Sequence, residues 1–188
     1  MHHLAVFASG TGTNFVAIAQ ACAKGIIQAD VAVMVCDRPG AAVIDRARDM
    51  GIETFVFSPQ DYTGKAAYEA EIVQLLDSKN IDLVCLAGYM RIVGETLLQA
   101  YEGRIINIHP SLLPSFKGAH AVEDAVAYGV KVYGITIHWV NADLDGGKII
   151  AQRAFPYEGS DPAEVHRIGQ KIEHELYVET INRILCEL

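Results

Sequence analysis

The chain has 188 residues, of which 51% are hydrophobic, and a mean hydropathy of +0.21, enough to fill one sizeable core. Its net charge of −8, from 23 acidic and 15 basic residues, argues against a general binder of phosphate backbones, which needs clustered Lys and Arg. No apolar run approaches the roughly 18 residues of a membrane span, and the run over residues 4–8 is too short for the core of an export signal. The four cysteines, Cys22, Cys36, Cys85 and Cys186, form no C-x-x-C pair. Cys36 and Cys85 lie in strand-like apolar runs and are expected as buried free thiols, which fits a reducing cytoplasm.

Apolar runs alternate with helical patterns. Residues 3–8 read as a strand, 14–24 as a helix, 31–36 as a strand and 41–50 as a helix. A third strand over 53–57, a helix over 65–79 and a fourth strand over 83–87 follow. Residues 93–101 read as helical and 104–108 as a fifth strand. Near-continuous apolar strands separated by helices indicate βαβ units and a parallel sheet covered on both faces.

After residue 109 the rhythm changes. A Pro-rich loop over 109–118 leads to a short helix over 122–128. Residues 132–140 and 148–155 read as strands joined by the 143–147 turn, a connection short enough to favour antiparallel pairing. The last segment, 162–185, is a long amphipathic helix with Val165, Ile168, Ile172, Leu176 and Ile184 as its apolar stripe. Asp161-Pro162 supplies its cap and first turn. No linker or repeat interrupts residues 1–188, so one domain is expected, an α/β fold with a mostly parallel open sheet.

Ser9-Gly10-Thr11-Gly12-Thr13-Asn14 follows the first strand and opens the first helix. Its glycines permit a tight turn, and the helix N-terminus offers unpaired N–H groups that suit a phosphate. Phe15 stands where a dinucleotide fingerprint requires glycine, and no Gly-Lys-Ser/Thr follows to make a P-loop. Asp37 does end the second strand where a ribose-binding acid belongs. A phosphate monoester site, a dinucleotide site and a simple turn with Thr13 or Asn14 as helix cap are all compatible with this loop.

Asn107 and His109 close the fifth strand, and alternation points both side chains to one side. In an open parallel sheet that edge is where ligands bind. Asp145 lies in the later Asp143-Leu144-Asp145-Gly146-Gly147 turn, which can fold back toward it. Singly, these are a strand-end His, a turn-stabilising Asn and a β-turn Asp. Together, an amide, an imidazole and a carboxylate can polarise a carbonyl, stabilise charge on its oxygen and move protons.

The stretch Asn107-Ile108-His109-Pro110 through Pro114 to Gly118, with the Asp143–Gly147 turn, resembles the N10-formyltetrahydrofolate-dependent formyltransferases. The resemblance runs from the first strand to the last helix and implies a Rossmann-like fold. It implies that Asn107, His109 and Asp145 are catalytic, with Asn107 and protonated His109 stabilising the charge on the formyl oxygen and Asp145 holding His109 and relaying a proton. The glycine loop resembles that of the branch whose acceptor is glycinamide ribonucleotide (GAR). It implies that Gly12, Thr13 and Asn14 hold the ribose phosphate, with Gln170 and Glu173 reaching toward GAR from one face of the last helix.

Met90, Arg91, Ile92 and Val93 would line the pterin pocket, bordered by Asn107, Leu144 and Asp145. Lys65 matches a position near the folate that often holds Arg, and Lys lacks the bidentate fork. His120 and His138 also match family histidines, His138 reading as a satisfied residue of an apolar strand. The implied partners are small molecules, GAR and formyl folate, with no nucleic acid, membrane or metal, and a monomer or homodimer. Formyltetrahydrofolate deformylase, methionyl-tRNA formyltransferase and a non-catalytic nucleotide-binding module are the rival readings. A deformylase carries an additional N-terminal regulatory domain, whereas here the first strand is expected by His3, and the acidic single domain disfavours tRNA.

Overall fold

The computed structural model describes residues 1–188. Its elements are β1 (His2–Phe7), α1 (Thr13–Ala23), β2 (Ala29–Cys36), α2 (Ala42–Asp49), β3 (Thr54–Val56), α3 (Lys65–Ser78), β4 (Leu83–Leu86) and α4 (Glu95–Ala100). They continue as β5 (Ile105–His109), α5 (Ala121–Tyr128), β6 (Val132–Trp139), β7 (Ile149–Pro156) and α6 (Pro162–Glu187). One sheet of seven strands runs in the order β3-β2-β1-β4-β5-β6-β7. The first five are parallel, and β6 and β7 are antiparallel to their neighbours, as the change of rhythm predicts.

Strict alternation builds the two core layers. Leu4, Val6, Cys85, Ile106, Ile108, Ile135 and Ile137 face one side, where α1, α2 and α6 pack. Ala5, Phe7, Val84, Leu86 and Ile105 face the other, under α3 and α4. That second apolar layer draws no buried residue from β6. On this face β5 and β6 carry Asn107, His109, Thr136 and His138 instead, and the Pro-rich loop covers part of them: Thr136 Oγ1 accepts from Leu113 N at 3.1 Å and donates to Ser111 O at 2.7 Å.

Some boundaries differ from the sequence reading. Strand β2 starts at Ala29 because His2 and His3 of β1 pair with Ala29 and Asp30. Helix α4 starts at Glu95, two residues later than the apolar pattern suggests: Val93 is buried in the core, and Gly94 N–H donates to the buried Glu69 carboxylate at 2.6 Å. Asp161 caps α6 by accepting from Ala163 N at 2.9 Å. The buried face of α6 is broader than the predicted stripe and includes Gly169, Tyr177, Thr180 and Ile181, because the helix lies against α1 and α5 as well as β6 and β7. No helix is long and apolar enough to cross a membrane.

Tyr177 is fully buried, and its hydroxyl donates to Leu86 O at 2.9 Å, tying α6 to the end of β4. Tyr177→Phe removes that bond and should destabilise the fold by about 1 kcal/mol. Denaturant midpoints at an unchanged m-value check this.

Candidate active site

From β1 the chain winds outward to β2 and β3, then returns to add β4, β5 and β6 on the other side of β1. The order therefore reverses between β1 and β4, and an open sheet of this kind binds ligands beyond the strand ends at that point. The glycine loop leaves β1 there, and the segment over 87–94 leaves β4 there. The two are stitched together: Ser9 N donates to Gly88 O at 3.0 Å, and Met90 N donates to Ser9 Oγ at 2.8 Å. Ser9 Oγ in turn donates to Asp37 Oδ1, and Arg91 Nε donates to Asp37 Oδ2 at 3.0 Å.

Asp37 is thus buried with both oxygens engaged, so the dinucleotide reading loses its ribose acid. Gly12 is the N-cap of α1, with a left-handed φ of +76°, and a Cβ there would overlap the Val43 side chain. No side chain caps α1, which corrects the reading of Thr13 or Asn14 as a cap and leaves the first-turn N–H groups to a ligand or water.

A cavity of about 520 Å³ opens at this edge. It is lined by Asn14, Met90, Arg91, Ile92, Val93, Asn107, His109, Leu144, Asp145 and Glu173, among others. Gly12, Thr13 and Gln170 lie outside its lining but adjoin it. Gln170 Nε2 donates to Thr13 Oγ1 at 3.3 Å, and Asn14 Nδ2 donates to Glu173 Oε2 at 2.9 Å, so α1 and α6 meet at the cavity's end. Asn14 is 9% exposed and its Oδ1 has no partner within the protein.

Lys65 does not line the cavity. Its Nζ donates to Ile92 O at 2.8 Å, and Glu69 two-handedly accepts from Gly94 N at 2.6 Å and Leu97 N at 3.3 Å. Helix α3 therefore braces the 90–94 segment through Lys65 and Glu69.

The three polar residues converge. His109 Nδ1 faces Asp145 Oδ2 at 3.5 Å, and both side chains are nearly buried. His109 Nε2 lies 2.8 Å from Phe116 O, a carbonyl that can only accept, so this nitrogen carries a hydrogen. Both ring nitrogens thus face oxygen acceptors, an arrangement complementary to an imidazolium. Asp145 Oδ2 also accepts from Gly118 N at 2.8 Å, so the Pro-rich loop grips the carboxylate directly. Asp145 adopts a left-handed φ of +48°, a conformation Asp tolerates better than most residues. Gly147 follows because any Cβ there would overlap Trp139 O.

Across the β5–β6 ladder His138 pairs with Asn107. His138 Nε2 is 3.2 Å from Asn107 Nδ2 and 3.8 Å from Asp145 Oδ1. Burial lowers the proton affinity of His138. The sequence reading missed this pairing, together with the Gly118 amide and the Glu69 brace. Its only signal was a polar residue in an otherwise apolar strand.

Residues 2–181 match the protein family described as "Formyl transferase". The phosphoribosylglycinamide formyltransferase of Bacillus subtilis (strain 168) is 47% identical over 98% of this chain and 95% of its own length. The human trifunctional purine biosynthetic protein adenosine-3 is 37% identical over 93% of this chain, which spans only 17% of that protein. Among solved structures, glycinamide ribonucleotide transformylase 1 of Geobacillus kaustophilus has a TM-score of 0.96 and 50% identity, covering 98% of this chain and 99% of that one. Phosphoribosylglycinamide formyltransferase of Bacillus halodurans has a TM-score of 0.94 and 49% identity, covering 97% and 95%. With a polar triad from β5 and the 143–147 turn and a match over nearly its whole length, the chain belongs to the formyl transferase family.

Proposed function

We propose that this enzyme transfers the formyl group of N10-formyltetrahydrofolate to the amino group of GAR, giving formyl-GAR and tetrahydrofolate in purine biosynthesis. The observation that carries the reading is the convergence of Asn107, His109 and Asp145 on one cavity wall, beside an apolar mouth and a bare helix N-terminus. Met90, Ile92 and Leu144 are 60%, 60% and 52% exposed at that mouth, an unusual exposure that a flat heterocycle would cover. The pterin therefore belongs against residues 90–93 and Leu144.

At the other end, the free N–H groups of the first turn of α1, after Gly12 and at Thr13 and Asn14, suit the acceptor's phosphate. The unpartnered Asn14 Oδ1, with Glu173 and Gln170 beside it, suits the donors of the acceptor's ribose and glycinamide. The two substrates then meet at Asn107. The GAR nitrogen attacks the formyl carbon, and the carbonyl π pair moves onto oxygen. Asn107 Nδ2 donates to that oxyanion, and the positive charge of a protonated His109 beside it stabilises the developing negative charge. Asp145 keeps His109 positioned and takes the proton lost by the attacking nitrogen, directly or through water. As the tetrahedral intermediate collapses, the carbonyl re-forms, the carbon–N10 bond breaks, and N10 leaves with the proton that Asp145 took from the attacking nitrogen. The cytoplasm is the compartment proposed for this reaction.

Tetrahydrofolate release measured with and without GAR tests the acceptor. Release that requires GAR supports the reading, and equal release without it points to deformylation. Asn107→Ala should lower kcat by roughly 10²–10³, about 2.7–4 kcal/mol of transition-state stabilisation. Asp145→Asn should keep the fold, by circular dichroism and denaturant midpoint, and lose most turnover. Normal kcat in both variants refutes the triad. Asn14→Ala should raise KM for GAR about tenfold, the weight of one hydrogen bond of about 1.4 kcal/mol, and leave KM for the formyl donor unchanged.

A further inference from the structure

The Asn107 amide has two near-isosteric orientations, and only one presents an N–H to a developing oxyanion. Two contacts of His138 decide which is held. Trp139 O lies 2.9 Å from His138 Nδ1 and, being a carbonyl, obliges that nitrogen to carry the hydrogen. In the neutral ring Nε2 is then a bare acceptor. Asn107 Nδ2 stands 3.2 Å from it and is its hydrogen-bond partner. Turning the amide over would set Oδ1 lone pairs against the Nε2 lone pair and leave the Nε2 of the buried His138 without a donor.

We propose that His138 is a positioning residue that fixes the Asn107 amide with its second N–H, free of any protein partner, turned toward the formyl oxygen. This rests on the oxyanion role given to Asn107 above. The charges that face His138 are Asp145, whose Oδ1 is 3.8 Å from Nε2, with His109 and Lys117 further off. Burial outweighs the attraction of Asp145 and keeps the ring neutral, so Nε2 stays an acceptor. A protonated His138 would instead point an N–H at the Asn107 amide and release it. The register supports the assignment: Asn107 and His138 are direct partners in the antiparallel β5–β6 ladder, so neither can drift from the other without breaking the sheet.

A double-mutant cycle tests this with His138→Asn, His138→Gln and Asn107→Ala. The Asn side chain reaches only the place of Nδ1 and removes the acceptor, whereas Gln carries an amide oxygen to the place of Nε2. In the wild-type background His138→Asn should lower kcat about 10–100-fold with KM for both substrates little changed, and His138→Gln should recover most of that loss. In the Asn107→Ala background His138→Asn should add little, because the group it positions is gone. Denaturant midpoints of every variant confine the comparison to folded protein.

Near-normal kcat in His138→Asn, or its full loss repeated on top of Asn107→Ala, overturns the proposal while leaving Asn107 its role. An unimpaired Asn107→Ala overturns the oxyanion reading, and this one falls with it.

Discussion

One row of strand register sets the geometry on which the site depends. Phe7 pairs with Leu86, Leu86 with Asn107, and Asn107 with His138. The first two residues are apolar and close the core under α3 and α4, and the next two are polar and open the site. A slip of one residue would turn Asn107 and His109 into the face packed by α1 and α6 and expose Ile106 and Ile108. The apolar residues of β5 on the opposite face therefore specify where the chemistry stands. Burial of the core and placement of the polar pair follow from the same alternation.

Loops complete what the strands begin. The Pro-rich loop gives His109 a carbonyl from Phe116 and gives Asp145 an amide from Gly118. The 143–147 turn places Asp145 in a left-handed conformation, with a strain on the order of 1–3 kcal/mol that the Gly118 and His109 contacts offset. On the other side of the cavity, the Ser9–Asp37–Arg91 network and the Lys65–Glu69 brace hold the two loops that leave β1 and β4. Under the proposed function the formyl donor and the acceptor occupy opposite ends of one cavity, and the triad lies where they meet.

Much of this was legible in the sequence because it rests on local pattern. Period-two apolar runs marked each strand, the break in rhythm after residue 109 marked the antiparallel strands, and Asp161-Pro162 marked the start of α6. The parity of Asn107 and His109 placed them on one side before any fold was known. What stayed hidden depends on distant partners. Asp37 sat where a ribose acid belongs, yet Ser9 and Arg91 claim it. Nothing local to Lys65 shows that its amine reaches the Ile92 carbonyl, 27 residues along the chain. His138 faces Asn107 only through a ladder closed across the whole Pro-rich loop and α5, and no local signal announces that register. Tyr177 and Ile181 fell outside the predicted stripe because one periodic face cannot reveal that a helix packs on neighbours to both sides.

The central claim is that Asn107 donates a hydrogen bond to the formyl oxygen. Isotope-edited infrared spectroscopy of bound formyl folate, labelled with carbon-13 at the formyl group, reads that bond directly. The account predicts a carbonyl stretch shifted to lower frequency on the enzyme than in water-free reference solvent, with the shift reduced in Asn107→Ala at saturating ligand. An identical stretch in the wild type and Asn107→Ala would contradict it.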